Sequence, residues 1–301
     1  MKSVALLDGG LGQEIYRRAI NVTSLLWSVA VMREQPDVVT DVHADFIRAG
    51  ARTLTLNTYA ATPSRLAREG LGDEIGAIHQ RAFEVLERAI AITGADVDIA
   101  GCLPPLVGSY RGQPARTFDE LKSEFDILVK LQGGADVFLI ETMTNTLEAK
   151  AACAAAGESG KPFGVAFRLE SDGKLRSSET LGEAVEAVKP FGPTAIMLNC
   201  CDPEVISRAI PELAGRFPCT GGYANAFKTV EPMAGGALVD ELETRPDVSP
   251  GAYALQVKQW LADGARVVGG CCEITPEHIC QLADVLTGDY NLVRFSELAG
   301  N

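Results

Sequence analysis

The chain contains no uninterrupted apolar stretch near the ~20 residues of a membrane-spanning helix, so no membrane association is expected from its 301 residues. It also lacks a surplus of positive charge. Lys and Arg number 27 against 40 Asp and Glu, a net charge of −13. That balance argues against a nucleic-acid groove or an anionic-membrane surface and favours a soluble protein. No Gly-x-Gly-x-x-Gly follows a strand-like run, and there is no phosphate-binding loop and no His-Glu-x-x-His. The opening apolar run stops at Asp8, too short for a signal-peptide core. The eight cysteines are thinly spread, unlike a secreted disulfide framework. A cytoplasmic protein is expected, where thiols stay reduced and clustered cysteines more often mean metal or catalysis. No internal repeat or low-complexity linker divides the chain, so one domain over residues 1–301 is expected.

With 47% hydrophobic residues, the chain can build a large core without covalent staples. Apolar strand-like runs fall at 4–7, 53–56, 97–100, 137–140, 163–169, 195–198, 219–223 and 266–269. Helix-like segments fall at 38–49, 73–93, 118–132, 147–156, 182–188, 203–213, 251–262 and 276–286. Strands alternating with helices imply a parallel sheet. Eight such units imply the α/β class and a single (β/α)8 barrel of the TIM type. A doubly wound open sheet is the alternative.

The last strand runs into Gly269-Gly270-Cys271-Cys272-Glu273, and a helix follows with Thr275 as N-cap and Pro276 at its first position. Two glycines there allow the backbone a close approach to something. In a barrel the active site lies at the carboxyl ends of the strands. The residues at those ends are Asp8, Asn57, Glu141, Cys200, Cys201, Asn225, Cys271 and Cys272. The sixth, seventh and eighth strands are neighbours, so Cys200 faces Cys271-Cys272 with Asn225 between. Three convergent thiolates suit a zinc site with an open fourth position. Strand alternation sends Cys200 and Cys201 to opposite sides; either is the ligand on pattern alone, or the pair is redox-active. Cys102, Cys153, Cys219 and Cys280 read as small hydrophobes. Asp8 and Glu141 read either as helix caps or salt-bridge partners, or as receptors for an amino group. Trp27, Tyr59, Tyr110 and Tyr223 offer an aromatic wall for an onium methyl donor, or plain packing.

These pieces resemble the homocysteine S-methyltransferase family over nearly the whole chain. The resemblance is carried by Asp8-Gly9-Gly10, Leu26-Trp27-Ser28, Asn57-Thr58-Tyr59, Ile140-Glu141-Thr142, Asn199-Cys200 and Gly269-Gly270-Cys271-Cys272. It implies a zinc barrel that methylates homocysteine to methionine. It implies Cys200, Cys271 and Cys272 as the zinc ligands, choosing Cys200 over Cys201, and Asn225 as an oxygen ligand in the resting state. It implies Asp8 and Glu141 for the amino group, with Thr142, Asn57 and Tyr59 in the substrate site. The loops at 103–117 and 223–249 depart from the family pattern. The chain has no room for folate or cobalamin domains, which favours S-methylmethionine or S-adenosylmethionine as donor. The alternatives are a corrinoid protein partner, another thiol acceptor, a cysteine-based redox enzyme, or a non-catalytic zinc-binding protein.

Overall fold

Alternation along each strand decides what lies inside. In the computed structural model, which describes residues 1–22, 24–106, 108–112, 115–234 and 242–299, β4 (Val137–Met143) sends Val137 and Leu139 to an inner cluster and Phe138 and Ile140 to an outer one. Most of the inner cluster is small and medium side chains, among them Ala5, Ala100, Ala166, Ala195, Met197 and Val267, with Tyr223 and Phe295 its large members. An eight-stranded barrel has room for little more. Bulky residues such as Phe46, Phe125 and Trp260 fill the outer layer between strands and helices.

The strands β1 (Lys2–Leu6), β2 (Thr53–Thr55), β3 (Asp98–Leu103), β4, β5 (Phe163–Phe167), β6 (Ala195–Asn199), β7 (Thr220–Tyr223) and β8 (Ala265–Val268) pair in parallel. Each pairs with the next from β2 to β8, and β8 returns to β1. A parallel bridge between Leu7 and Thr53 closes the ring, with the Arg52 N–H donating to the Leu6 carbonyl at 2.8 Å. The structure is therefore the closed barrel and not the open sheet.

A ninth strand, β9 (Tyr290–Val293), was not expected; it adds in parallel to the start of β1. Beyond it Phe295 is fully buried in the inner cluster at the amino end of the barrel. The segment is pinned by the Phe295 N–H on Thr53 Oγ1 at 2.9 Å and by the Ser296 N–H and hydroxyl on Asp98, both at 2.8 Å.

The helices are α1 (Leu11–Arg18), α2 (Ser28–Glu34), α3 (Pro36–Arg48), α4 (Pro63–Arg68), α5 (Ile75–Thr93) and α6 (Phe118–Leu131). They continue as α7 (Thr146–Glu158), α8 (Leu181–Val188), α9 (Pro203–Arg216), α10 (Glu231–Ala234), α11 (Pro250–Ala262) and α12 (Pro276–Leu286). Thr117 with Glu120 and Thr180 with Glu183 close capping boxes on α6 and α8. Thr275 is the N-cap of α12, as the sequence predicts, and its N–H donates to His278 Nδ1 at 3.2 Å. Within the 223–249 loop, Phe227 bridges Thr244, while residues 235–241 lie outside the described residues. Among the described residues no helix is long and apolar enough to cross a membrane.

Candidate metal centre

The chain turns sharply where β6 ends. Cys200 has φ +53°, in the left-handed region that costs a non-glycine residue energy. The turn separates the two cysteines that alternation left ambiguous. Cys200 lines a cavity at the carboxyl end of the barrel. Cys201 sits in the outer cluster, where its Sγ accepts from the Leu169 N–H at 3.2 Å.

The glycines before Cys271 approach the loop after β1. A Cβ on Gly269 would stand 2.9 Å from the Asp8 carbonyl oxygen, and one on Gly10 would stand 2.6 Å from the Cys271 carbonyl oxygen. Hydrogen bonds lock the two loops, Gly270 N–H to the Asp8 carbonyl at 2.9 Å and Gly10 N–H to the Ile274 carbonyl at 2.7 Å. Between the two cysteine loops lies the end of β7. Cys200 N–H donates to the Tyr223 carbonyl at 3.1 Å and Cys271 N–H to the Ala224 carbonyl at 2.8 Å. Tyr253 donates its hydroxyl to the Gly269 carbonyl at 2.7 Å and accepts from the Ala224 N–H at 3.1 Å. The two cysteine loops and the end of β7 are thus fixed to one another through backbone.

The sulfurs converge. Cys200 Sγ is 3.7 Å from Cys272 Sγ, which is 3.9 Å from Cys271 Sγ, and all three lie within 4.8 Å of one another. Three corners of a tetrahedron with metal–sulfur bonds of ~2.3 Å stand about 3.8 Å apart. The triad therefore fits a tetrahedral thiolate-bound metal and leaves one corner free. Hydrogen bonds from Cys271, Cys272 and Tyr110 hold the Cys200 thiol well below its usual range, and sharing with Cys200 pushes the other two up. A dication would accommodate all three as thiolates.

Asn225 has its amide committed to backbone. Its Nδ2 donates to the Cys200 carbonyl at 3.0 Å, and its Oδ1 accepts from the Phe227 N–H at 2.8 Å. The side chain braces the Cys200 turn, and its oxygen, which the resemblance implies as a resting-state metal ligand, accepts one hydrogen bond, from the Phe227 N–H.

Two carboxyls, the buried Asp8 and the half-buried Glu141, share the cavity with the sulfurs. Asp8 accepts from the Thr55 N–H at 2.9 Å and from the Thr55 hydroxyl at 3.2 Å. Glu141 accepts from the Cys102 thiol at 3.2 Å. Burial pushes Asp8 up to about 8, against the Thr55 hydrogen bonds, and pushes Glu141 up to about 7. No basic side chain lines the cavity among the described residues. Both groups would ionise more readily beside an incoming cation.

Thr142, Asn57 and Tyr59 line the same cavity. Thr142 has φ +58°, and Asn199 clamps it, accepting from its N–H at 2.8 Å and donating to its Oγ1 at 3.0 Å. Asn57 accepts from the Ser28 hydroxyl at 2.6 Å and donates to the Ser28 carbonyl at 3.0 Å, fixing the turn that carries Trp27. Tyr59 and Ser109 hydroxyls meet at 2.9 Å. All four aromatics of the expected wall, Trp27, Tyr59, Tyr110 and Tyr223, reach the cavity.

Sequence reasoning missed three things here. Cys102, read as a plain hydrophobe, is the hydrogen-bond partner of Glu141; its place at the end of an inward-facing strand register was the available signal. Gln13 and Trp27 each bring a buried nitrogen without a partner, Nε2 and Nε1, to the cavity wall. Nothing in the pattern around Gln13 pointed to that.

Fold and site together define a class, a (β/α)8 barrel with three convergent cysteines and two carboxyls at its mouth. The family profile described as Homocysteine S-methyltransferase matches residues 5–286, and the chain belongs to that family. It is 27% identical to "Homocysteine S-methyltransferase" of Escherichia coli (strain K12), over 93% of this chain and 94% of that protein. It is 26% identical to "Homocysteine S-methyltransferase YbgG" of Bacillus subtilis (strain 168), over 92% and 93%. The metallated crystal structure of the homocysteine methyltransferase MmuM from Escherichia coli superposes with a TM-score of 0.78 at 25% identity, covering 94% of this chain and 96% of that one. "Methionine synthase" of Mycobacterium leprae (strain TN) is 29% identical over 83% of this chain but only 21% of that protein.

Proposed function

We propose that this enzyme is a zinc-dependent S-methyltransferase that moves a methyl group from a small onium donor to homocysteine, giving methionine. The observation that carries the reading is that three convergent sulfurs and two carboxyls line one cavity of about 100 Å³. Cys200, Cys271 and Cys272 would hold zinc, the metal that soft sulfur ligands favour over magnesium or calcium. When bound, zinc keeps a substrate thiol deprotonated yet nucleophilic at neutral pH, so no protein base is required. Asp8 and Glu141 receive the ammonium group of the amino acid, which supplies the cation that both carboxyls lack. The unpartnered Gln13 Nε2 and Trp27 Nε1 are donors suited to its carboxylate. Asn199, Thr142 and Asn57 act through the backbone, fixing the turns on which the reacting groups stand.

The donor is read from charge. Among the described residues the cavity wall bears two acids, no base and the rings of Trp27, Tyr59 and Tyr223. Such a wall attracts a cationic sulfonium and repels an anionic carrier. S-methylmethionine or S-adenosylmethionine fits that description.

The test is methionine formation by reduced, zinc-loaded protein given homocysteine and, in separate reactions, S-methylmethionine, S-adenosylmethionine, betaine and a methylated thetin. Methionine from a sulfonium donor supports the reading and names the donor. No methionine from any donor, with zinc bound in stoichiometric amount, rejects the small-donor reading in favour of a corrinoid protein as methyl carrier or a different thiol or selenol acceptor.

A further inference from the structure

Tyr110 belongs to the 103–117 loop that departs from the family pattern, and it is placed at a cost. Its φ is +59°, unfavourable for a bulky side chain. It is 3% exposed and packs with Cys200, Cys272, Phe227 and Val230. Its hydroxyl lies 3.1 Å from Cys200 Sγ. The Arg168 guanidinium stands 5.4 Å above its ring, and Glu170 pairs with that guanidinium. Strain, burial and a cation over the ring all hold one hydroxyl against one sulfur.

A metal-bound cysteine has no proton to give, so the phenol must be the donor. Every thiolate ligand beside an electrophilic methyl donor is itself a target. Methylation of Cys200 would form an S–CH3 bond, release the donor's sulfide and destroy the site. A hydrogen bond ties up electron density on the accepting sulfur and weakens it as a nucleophile.

We propose that Tyr110 is a positioning residue of the metal centre that donates a hydrogen bond to Cys200 Sγ, holding that ligand in place and shielding it from alkylation. This rests on the reading of Cys200, Cys271 and Cys272 as metal ligands.

The test is Tyr110→Phe, which removes one oxygen and leaves the ring. Zinc-loaded wild type and variant are treated with iodoacetamide, and adducts at Cys200, Cys271 and Cys272 are followed by peptide mass spectrometry. The expected result is Cys200 alkylation about tenfold faster in the variant, the worth of one hydrogen bond to a charged acceptor, with Cys271 and Cys272 as unchanged internal controls. An unchanged Cys200 rate overturns the proposal. A cobalt(II)-substituted pair supplies the second readout. A shifted thiolate-to-cobalt band in the variant supports the hydrogen bond, whereas loss of a phenolate-to-cobalt band makes Tyr110 a ligand and overturns it. Metal stoichiometry of the wild type judges the metal reading separately. If neither protein binds metal, that reading fails, and the Cys200 rate ratio in the reduced, metal-free pair still decides the hydrogen bond.

Discussion

The two ends of the barrel are built from opposite materials. At the amino end, Phe295 and Leu298 close a cluster of alanines, valines and a methionine, and the polar groups that hold them there are paired. At the carboxyl end the chain keeps two carboxyls, four cysteines and unpartnered nitrogens on Gln13 and Trp27. Strain follows the same division. Of the seven non-glycine residues at positive φ among the described residues, Trp27, Tyr110, Thr142 and Cys200 line the cavity, and Glu273 follows Cys272. Barrels commonly place stability at one end and chemistry at the other. Here that division is legible in backbone angles and hydrogen-bond satisfaction.

The comparison breaks if substitutions at the two ends have the same signature. Cys200→Ala should abolish metal retention and lower methyl transfer by about a thousandfold or more, ~4 kcal/mol of transition-state stabilisation. Its thermal midpoint in metal-free form should move little. Metal analysis, turnover and calorimetry on one preparation check this, and a variant with full metal and full turnover would refute the ligand assignment. Phe295→Ala should do the reverse. Truncating a fully buried phenylalanine costs about 3–5 kcal/mol of stability, while turnover per folded molecule stays near wild type. Denaturant titration beside activity at low temperature separates the two.

A third change sharpens the contrast by titration. The Asp8 carboxyl rises from its ordinary 3.8 to about 8 on folding. Between those values the folded state holds a proton that the unfolded chain has lost, so this group's contribution to stability is complete below pH ~4 and fades as pH rises through 8. Asp8→Asn should flatten that slope and leave the variant relatively more stable than wild type above pH 8. The same substitution should raise KM for the amino-acid acceptor about 10- to 100-fold, the range for one hydrogen bond to a charged group. Urea melts from pH 5 to 9 and initial rates against acceptor concentration measure both. A KM that stays fixed while the slope flattens would remove Asp8 from substrate binding and leave it structural.

How far the sequence reaches follows the same boundary. Strands β3 to β8 announce themselves because a buried parallel strand is a short apolar run. The Gly-Gly-Cys-Cys stretch announces itself because close backbone approach excludes side chains, and the structure names the neighbour as the Asp8-Gly9-Gly10 loop. β9 was missed because only Val293 of the four residues Tyr290–Val293 is buried, and the strand's worth lies in delivering Phe295. Cys200 against Cys201 was undecidable from alternation because the deciding feature is a left-handed turn that no local residue preference demands. Asn225 looked like an oxygen waiting for a metal; what it does in this structure, a clamp between Cys200 and Phe227, depends on β7 and β6 lying side by side.

Unpartnered polar atoms do not all belong to the mouth, and His43 shows the difference. It lies in the middle of α3, fully buried, with neither ring nitrogen hydrogen-bonded. It does not line the cavity. Burial lowers it from 6.5 to about 3, so the unfolded chain binds a proton there that the folded chain refuses. The sign is opposite to that of Asp8. Stability is intact above pH ~6.5 and falls as the solution is acidified toward 3. His43→Leu should remove this liability, raising the midpoint of acid unfolding while changing stability at pH 8 and turnover by little. Circular dichroism through an acid titration, with activity measured on return to neutral pH, reads both. Should His43→Leu instead lose activity at neutral pH while remaining folded, the orphaned imidazole would have to be counted with the mouth.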